Sequence, residues 1–367
     1  MILGAFYDQE TEGMVYWIPP GGEQEPKSYS DDESSDSEDS IASSHTITSN
    51  EFTNYFCEVN GRLFVNDPDV LVWYPVDEHR RLKLRHQLLK LLHGGNHFGK
   101  MAEVLSACKD RRPRVLDMCT RDGSWVSEMS QEFPHVEFVS VDVAPVVAHT
   151  PQENILYEVY DVHRGILEHD NSFDLVWISC ITEVVKDVPE IIREAQRVLK
   201  PGGLLCMVEP ELALYDSQDI SRHSLDLTPL TWRAIDAVRS NLITQGAQLE
   251  DYRLATNWLS PGSIFWRDKN PSSLLSFERI TAGTKVAHAG GWDSDNERQE
   301  IRLLLAQLGT TYWRNMVSML TLSGTSDREA TDLVNGAIRE LKNPCTQYAL
   351  KFHHVFAYKG QVLRTEL

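Results

Sequence analysis

A chain of 367 residues with 41% apolar side chains has material for one large packed domain or two modest ones. Its 54 acidic against 35 basic residues leave a net charge of −19. That balance excludes a protein that grips nucleic acid by its phosphates, which needs Lys and Arg to displace counterions. The six cysteines form no CxxC pair, so neither a zinc site nor a disulfide framework reads from them, and no other metal-ligand pattern stands out. No run approaches the ~18 apolar residues of a membrane span, and Met1 to Pro20 lacks the layout of a signal peptide. The expectation is a soluble protein of the cytoplasm or nucleus, with reduced thiols.

In chain order, residues 1–50 form an acidic region rich in Ser, Asp and Glu. Its stretch from Ser28 to Ser40 (SYSDDESSDSEDS) cannot offset its own ordering entropy, which predicts disorder there. Structure is expected from near Glu51. Residues 51–110 read as a helical extension, with an amphipathic helix over Asp77–Leu92, capped by Asp77 and stopped by Gly94, and a second over Phe98–Cys108. After Pro113 short apolar runs alternate with helical patterns. Strands are predicted at Arg114–Met118, Glu137–Val141, Asn154–Val159, Phe173–Ser179 and Leu204–Val208, with helices over Trp125–Phe133 and Val188–Leu199. Buried strands separated by helices mean an α/β fold with a parallel sheet and right-handed crossovers. Past Glu211 the pattern turns helical, an insertion over about 212–310, and Phe352–Tyr358 reads as the last strand.

The strand ends carry the chemistry. The first strand ends in Asp117, followed by the loop Met118 to Ser124 and a helix, an arrangement that brings backbone N–H groups and a helix N-terminus to a nucleotide-like ligand. The second ends in Asp142, beside Val143, where an acid is placed to bond a ribose diol. The third ends at Asp161 and Val162, an acid and an apolar residue that suit an adenine edge. Ser179, Cys180 and Thr182 follow the fourth strand, and Glu209 and Glu211 end the fifth, where either could orient an acceptor.

In order and spacing, VLD (Val115–Asp117), Asp122-Gly123, VSVD (Val139–Asp142), FDLVW (Phe173–Trp177) and RVLKPGGLL (Arg197–Leu205) form the motif series of class I methyltransferases. More narrowly, the chain resembles the fungal LaeA-like methyltransferases of secondary metabolism. The likeness rests on YPVDEHRRLKLRH (Tyr74–His86), DGSWVSEMSQEFPHVEFVSVDVAP (Asp122–Pro145), RELKNP (Arg339–Pro344) and FHHVFAYKG (Phe352–Gly360), and spans roughly residues 55–360. The resemblance implies a Rossmann-like fold with a mostly parallel seven-stranded sheet flanked by helices, filling residues 111–367. It implies S-adenosyl-L-methionine as cofactor, bound by Asp117, Cys119, Gly123, Asp142, Val143, Asp161, Val162 and Ser179. It implies a methyltransferase acting on a small molecule or a protein. The alternative is a non-catalytic regulator acting through partners such as velvet-type proteins, since founding members of the family are nuclear regulators.

The family's loop reads D-x-G-x-G-x-G, and here Cys119 and Arg121 replace its first two glycines, leaving Gly123. Glycine serves there because the backbone comes close to the cofactor and needs positive φ. A side chain at 121 either fills the space of the methionine tail, turns outward, or pairs with the methionine carboxylate. No general base is identified. The N-P-P-[YFW] motif of amino-group methyltransferases on nucleic acids is absent, and the acid and Asn set of metal-dependent catechol enzymes is not evident. His79 and His86 share one helix and are candidates to face the active site. Trp125 is expected to pack on the sheet, and Trp258, Trp266, Trp292, Tyr312 and Trp313 either line an acceptor pocket or pack in the core.

Overall fold

The computed structural model describes residues 6–8, 13–17, 44–46, 54–59, 61–76, 79–106, 111–146, 152–249, 251–260, 263–266, 276–289 and 296–360. The Ser28–Ser40 stretch lies outside the described residues, as do Asp77 and Trp292. Ahead of Glu51 stand three short strands, β1 (Phe6–Asp8), β2 (Gly13–Trp17) and β3 (Ser44–Thr46). The extension that follows is not wholly helical, because β4 (Phe56–Val59) and β5 (Arg62–Val65) form a hairpin turned at Gly61, φ 73°. These four-residue strands are too short to carry a legible alternation. Helix α1 (His79–His93) turns Leu82, Leu84 and Leu88 inward and stops at a left-handed Gly94 (φ 79°), whose N–H bonds Leu91 O at 3.2 Å. Of the second expected helix, only the turn α2 (Met101–Val104) is helical among the described residues.

The α/β unit then runs β6 (Arg114–Met118), α3 (Ser124–Glu132), β7 (Glu137–Asp142), β8 (Ile155–Val159), β9 (Phe173–Ser179), α4 (Val188–Val198) and β10 (Leu199–Pro210). It continues through β11 (Tyr215–Asp216), α5 (Pro229–Thr244), α6 (Asp251–Leu259), β12 (Phe277–Ala289), α7 (Asn296–Leu322), α8 (Asp327–Lys342) and β13 (Tyr348–Lys359). Seven strands lie in the order β8-β7-β6-β9-β10-β13-β12; β6 to β10 are parallel, and β13 runs antiparallel to both neighbours. This is the mostly parallel seven-stranded sheet flanked by helices. It is widened by β2, paired to β8 through Trp17 and Glu158, and by β1, β3 and β11.

Alternation along the strands feeds two cores. Leu116, Val139, Val176 and Leu205 pack with Ile191, Ile192 and Ala195 of α4, whereas Val115, Phe138, Leu175 and Leu204 pack with Met101, Val126 and Met129 under α2 and α3. A third core joins α1, α5, α7 and α8 to the β12–β13 end of the sheet. The region expected to be a helical insertion contains β12, whose side chains are mostly exposed and whose sequence lacks a period of two, as suits an edge strand. Among the described residues, no helix is long and apolar enough to cross a membrane.

Candidate functional site

The site sits at the carboxyl ends of β6, β7, β9 and β10. Asp117 at the tip of β6 is buried, and its Oδ2 accepts from Ser140 Oγ at 2.6 Å. Burial pushes its carboxyl up to about 7 against the Ser140 bond. The loop after it is pinned to β7: Cys119 N and Thr120 N both donate to Val141 O, at 2.9 and 3.1 Å. Asp142 Oδ2 then accepts from Arg121 N and its Oδ1 from Val143 N, both at 2.8 Å. Burial raises the Asp142 carboxyl, opposed by Arg121 and these amides.

Every second residue of the loop is left-handed: Cys119 at φ 65°, Arg121 at 57° and Gly123 at 69°. These are the three positions of the glycine pattern. The backbone keeps the glycine path although two of the three residues carry side chains, at a cost of roughly 1–2 kcal/mol each. Gly123 leads into α3, whose first turn is tied by Ser124 Oγ donating to Asp122 Oδ2 at 2.6 Å.

Asp161 and Val162 sit at a turn of their own. Asp161 caps a short 3-10 turn, accepting from His163 N at 2.9 Å and lying 3.1 Å from Arg164 Nε, while Val162 is buried. Neither lines the clefts described below. Asp67, Asp161 and His163 bring one ligand-capable atom each within 4.8 Å, on partly exposed side chains. After β9, Cys180 is left-handed (φ 56°) and buried, and burial pushes its thiol up to about 12, which disarms it as a nucleophile. Glu209 holds the turn there, accepting from Ile181 N, Thr182 N and Thr182 Oγ1 at 2.9, 3.3 and 2.7 Å.

Three clefts meet over these strand ends. The first is walled by Asp117, Cys119, Asp122, Trp125, Trp177 and Ser179. Trp125 stacks on Trp177 (4.7 Å between centroids, 12° between planes) and donates from Nε1 to Asn96 O at 3.0 Å. His86 also faces this cleft, 3.3 Å from Glu128 Oε1, whereas His79 lines none of the three. The second cleft is walled by Asp142, Val143, Val70, Tyr74 and Val184. Arg121 and Leu82 belong to both, so the Arg121 side chain stands as a wall between them. It turns inward, not to solvent, with Nη2 3.8 Å from Glu183 Oε2.

The third, the largest of the three, is a partly open cavity between α5, α7 and the β10 end of the sheet. Trp73, Tyr312, Trp313, Leu305 and Phe352 give it an apolar wall, and Glu211 a polar one. Glu211 accepts from Tyr215 Oη, from Arg253 Nη2 at 2.6 Å, and bonds His353 Nε2 at 3.0 Å. Of the aromatics singled out in the sequence, Tyr312 and Trp313 line this cavity, while Trp258 and Trp266 pack with Phe265 and Phe277 in the core. Arg81, Arg85, Tyr74 and Glu183, which wall two clefts each, were not singled out. A signal existed: Arg81 and Arg85 fall on the same helical face as Leu84 and Leu88, so two arginines share a buried stripe.

The Methyltransferase domain family matches residues 76–249. The chain is 27% identical over 298 residues to the secondary metabolism regulator laeA of Coprinopsis cinerea, covering 79% of this chain and 71% of that protein. It is 32% identical over 103 residues to demethylmenaquinone methyltransferase of Listeria welshimeri, covering 26% of this chain and 44% of that enzyme. It thus spans under half the length of the Listeria enzyme. Among solved structures, phosphoethanolamine N-methyltransferase 2 of Haemonchus contortus, in complex with phosphomonomethylethanolamine and S-adenosylhomocysteine, aligns at 14% identity and a TM-score of 0.41. That alignment covers 82% of this chain and 62% of the enzyme. Sheet order, strand-end loop and the match over residues 76–249 liken the chain to class I methyltransferases, which use S-adenosyl-L-methionine. Within that class the likeness is to the LaeA proteins of secondary metabolism.

Proposed function

We propose that the chain binds S-adenosyl-L-methionine across the ends of β6 and β7 and transfers its methyl group to a small molecule or protein seated toward the large cavity. The ribose falls to Asp142 with Val143 beneath the base, and the methionine tail to Cys119, Gly123, Asp117 and Ser179. The single observation that carries this reading is the left-handed run at Cys119, Arg121 and Gly123. Strained conformations at non-glycine residues persist where surrounding structure imposes them, and they cluster at ligand sites. Methyl transfer is an in-line displacement at a sulfonium, so alignment and exclusion of water do most of the work. The aromatic walls of Trp125, Trp177 and Tyr74 suit that task.

A second reading, a non-catalytic regulator working through partners such as velvet-type proteins in the cytoplasm or nucleus, is favoured by one observation: Arg121 stands between the two halves of the cofactor groove. Calorimetric titration with S-adenosylhomocysteine separates the two. The enzyme reading expects micromolar binding that falls about tenfold or more in Asp142→Ala, which removes the acceptor of a ribose hydrogen bond. No binding up to millimolar ligand leaves the regulator.

A further inference from the structure

Three guanidiniums converge on one carboxylate where the clefts meet. Arg81 Nη1 lies 3.3 Å from Glu183 Oε2, Arg85 Nη1 donates to the same oxygen, and Arg121 Nη2 lies 3.8 Å from it. Arg81 is 2% exposed, Arg85 8% and Glu183 7%. One carboxylate does not neutralise two buried guanidiniums and a third, that of Arg121, which is half-buried, and uncompensated buried charge is costly. Asp142, the next acid, faces Arg121 from the β7 side and is already held by two backbone N–H groups. The acid that Arg81 and Arg85 share is therefore Glu183.

The donor count agrees. Arg81 Nε, on a wall of the large cavity, and Arg121 Nε and Nη2, between the other two clefts, are buried atoms that find no hydrogen-bond acceptor among the described residues, whereas folded proteins leave few buried donors unmet. Arg81 is also fixed in place, its guanidinium carbon 3.5 Å from the centroid of the Tyr74 ring. Arg81 and Arg85 both open onto the large cavity, whose remaining wall is apolar at Leu212, Leu305, Leu308 and Phe352 and carries Glu211, itself paired with Arg253 and His353. An apolar chamber ended by surplus guanidinium charge fits a ligand with an apolar body and one anionic group, and the arginine fork matches a carboxylate.

We propose that the acceptor of this chain is an apolar acid, its carboxylate held by Arg81 and Arg85 at the inner end of the cavity. This rests on the methyltransferase reading above. A second source of the same chemistry is the methionine carboxylate of the cofactor, which would meet Arg85 and Arg121 from the first cleft.

The full chain is titrated with decanoate and, separately, with 1-decanol, with and without S-adenosylhomocysteine, alongside Arg81→Met. The native chain is expected to prefer decanoate by about tenfold or more, the scale of a buried charge-assisted hydrogen bond. Arg81→Met is expected to lose that preference while binding decanol as before, which also shows that it folds. Equal affinity for acid and alcohol, or no binding of decanoate, overturns the proposal. A second arm compares S-adenosylmethionine with its decarboxylated analogue. A preference of similar size for the carboxylated form that Arg85→Met abolishes, with no decanoate preference for Arg81→Met to remove, assigns the arginines to the cofactor and overturns the acceptor assignment. Failure of the methyltransferase reading is separately visible: decanoate preference without any S-adenosylhomocysteine binding upholds the acid site and removes the cofactor.

Discussion

Two side chains shape the proposed cofactor groove. Cys119 and Arg121 hold a backbone shape that glycine adopts freely, and their amides are fixed by Val141 O and Asp142 Oδ2. Replacing Arg121 by Gly relieves the left-handed strain but makes the unfolded chain more flexible, so stability changes by less than about 1 kcal/mol in urea denaturation. The same substitution removes the wall between the first and second clefts. If the native side chain holds most molecules in a closed groove, Arg121→Gly raises the affinity for S-adenosylhomocysteine about fivefold or more by calorimetry. Unchanged or weaker binding would show that Arg121 helps to hold the ligand. At this scale the sequence was partly readable. Asp117, Cys119, Asp142, Val143 and Ser179 do wall the clefts, and Gly123 shares the loop's left-handed turn. Asp161 lines none of the three clefts, and its side chain caps the turn that follows its strand. Glu183 escaped notice because its three partners come from a helix and a loop far away in the chain, at separations that no motif spans.

Among the elements, β6 to β10 and β13 were legible because each is an apolar run long enough to be buried. The β4–β5 hairpin and β12 were not. A four-residue strand shows at most two side chains per face, and an edge strand exposed along most of its length needs no apolar pattern. Helix α8 closes the third core and carries an explicit start signal: Ser326 Oγ accepts from Glu329 N at 3.3 Å, and Glu329 Oε2 accepts from Ser326 N at 3.4 Å. Ser326→Ala removes half of this capping box and is expected to lower the unfolding free energy by about 1 kcal/mol in urea, without altering S-adenosylhomocysteine affinity. A change in that affinity would mean that the α8 end of the molecule communicates with the strand ends.

Across the whole molecule, buried acids set the pH response. Burial pushes the carboxyls of Asp117 and Glu209 up to about 7 and that of Glu158 up to about 8. A raised carboxyl binds its proton more tightly in the folded chain, so its contribution is present at low pH and lost as pH rises through the folded value. His93 acts in the opposite sense: burial lowers it to about 4, so its contribution is complete above the usual imidazole value of 6.5. Burial also lowers Lys359 to about 8, so its opposite contribution begins near there; between about pH 6.5 and 7.5 the acids dominate, and the urea midpoint is expected to fall across that window. The slope should flatten in Glu158→Gln. A midpoint that rises over the same range would mean that these carboxyls are ionised in the folded chain.

The most direct test is a crystal structure of the full chain grown with S-adenosylhomocysteine. It should place the ribose hydroxyls on Asp142 and the homocysteine tail over Cys119 to Gly123, with the Arg121 side chain displaced from Glu183. Crystals grown at saturating ligand that show an empty groove, Arg121 still between its two halves, would contradict cofactor binding and leave the chain a regulator on a methyltransferase fold.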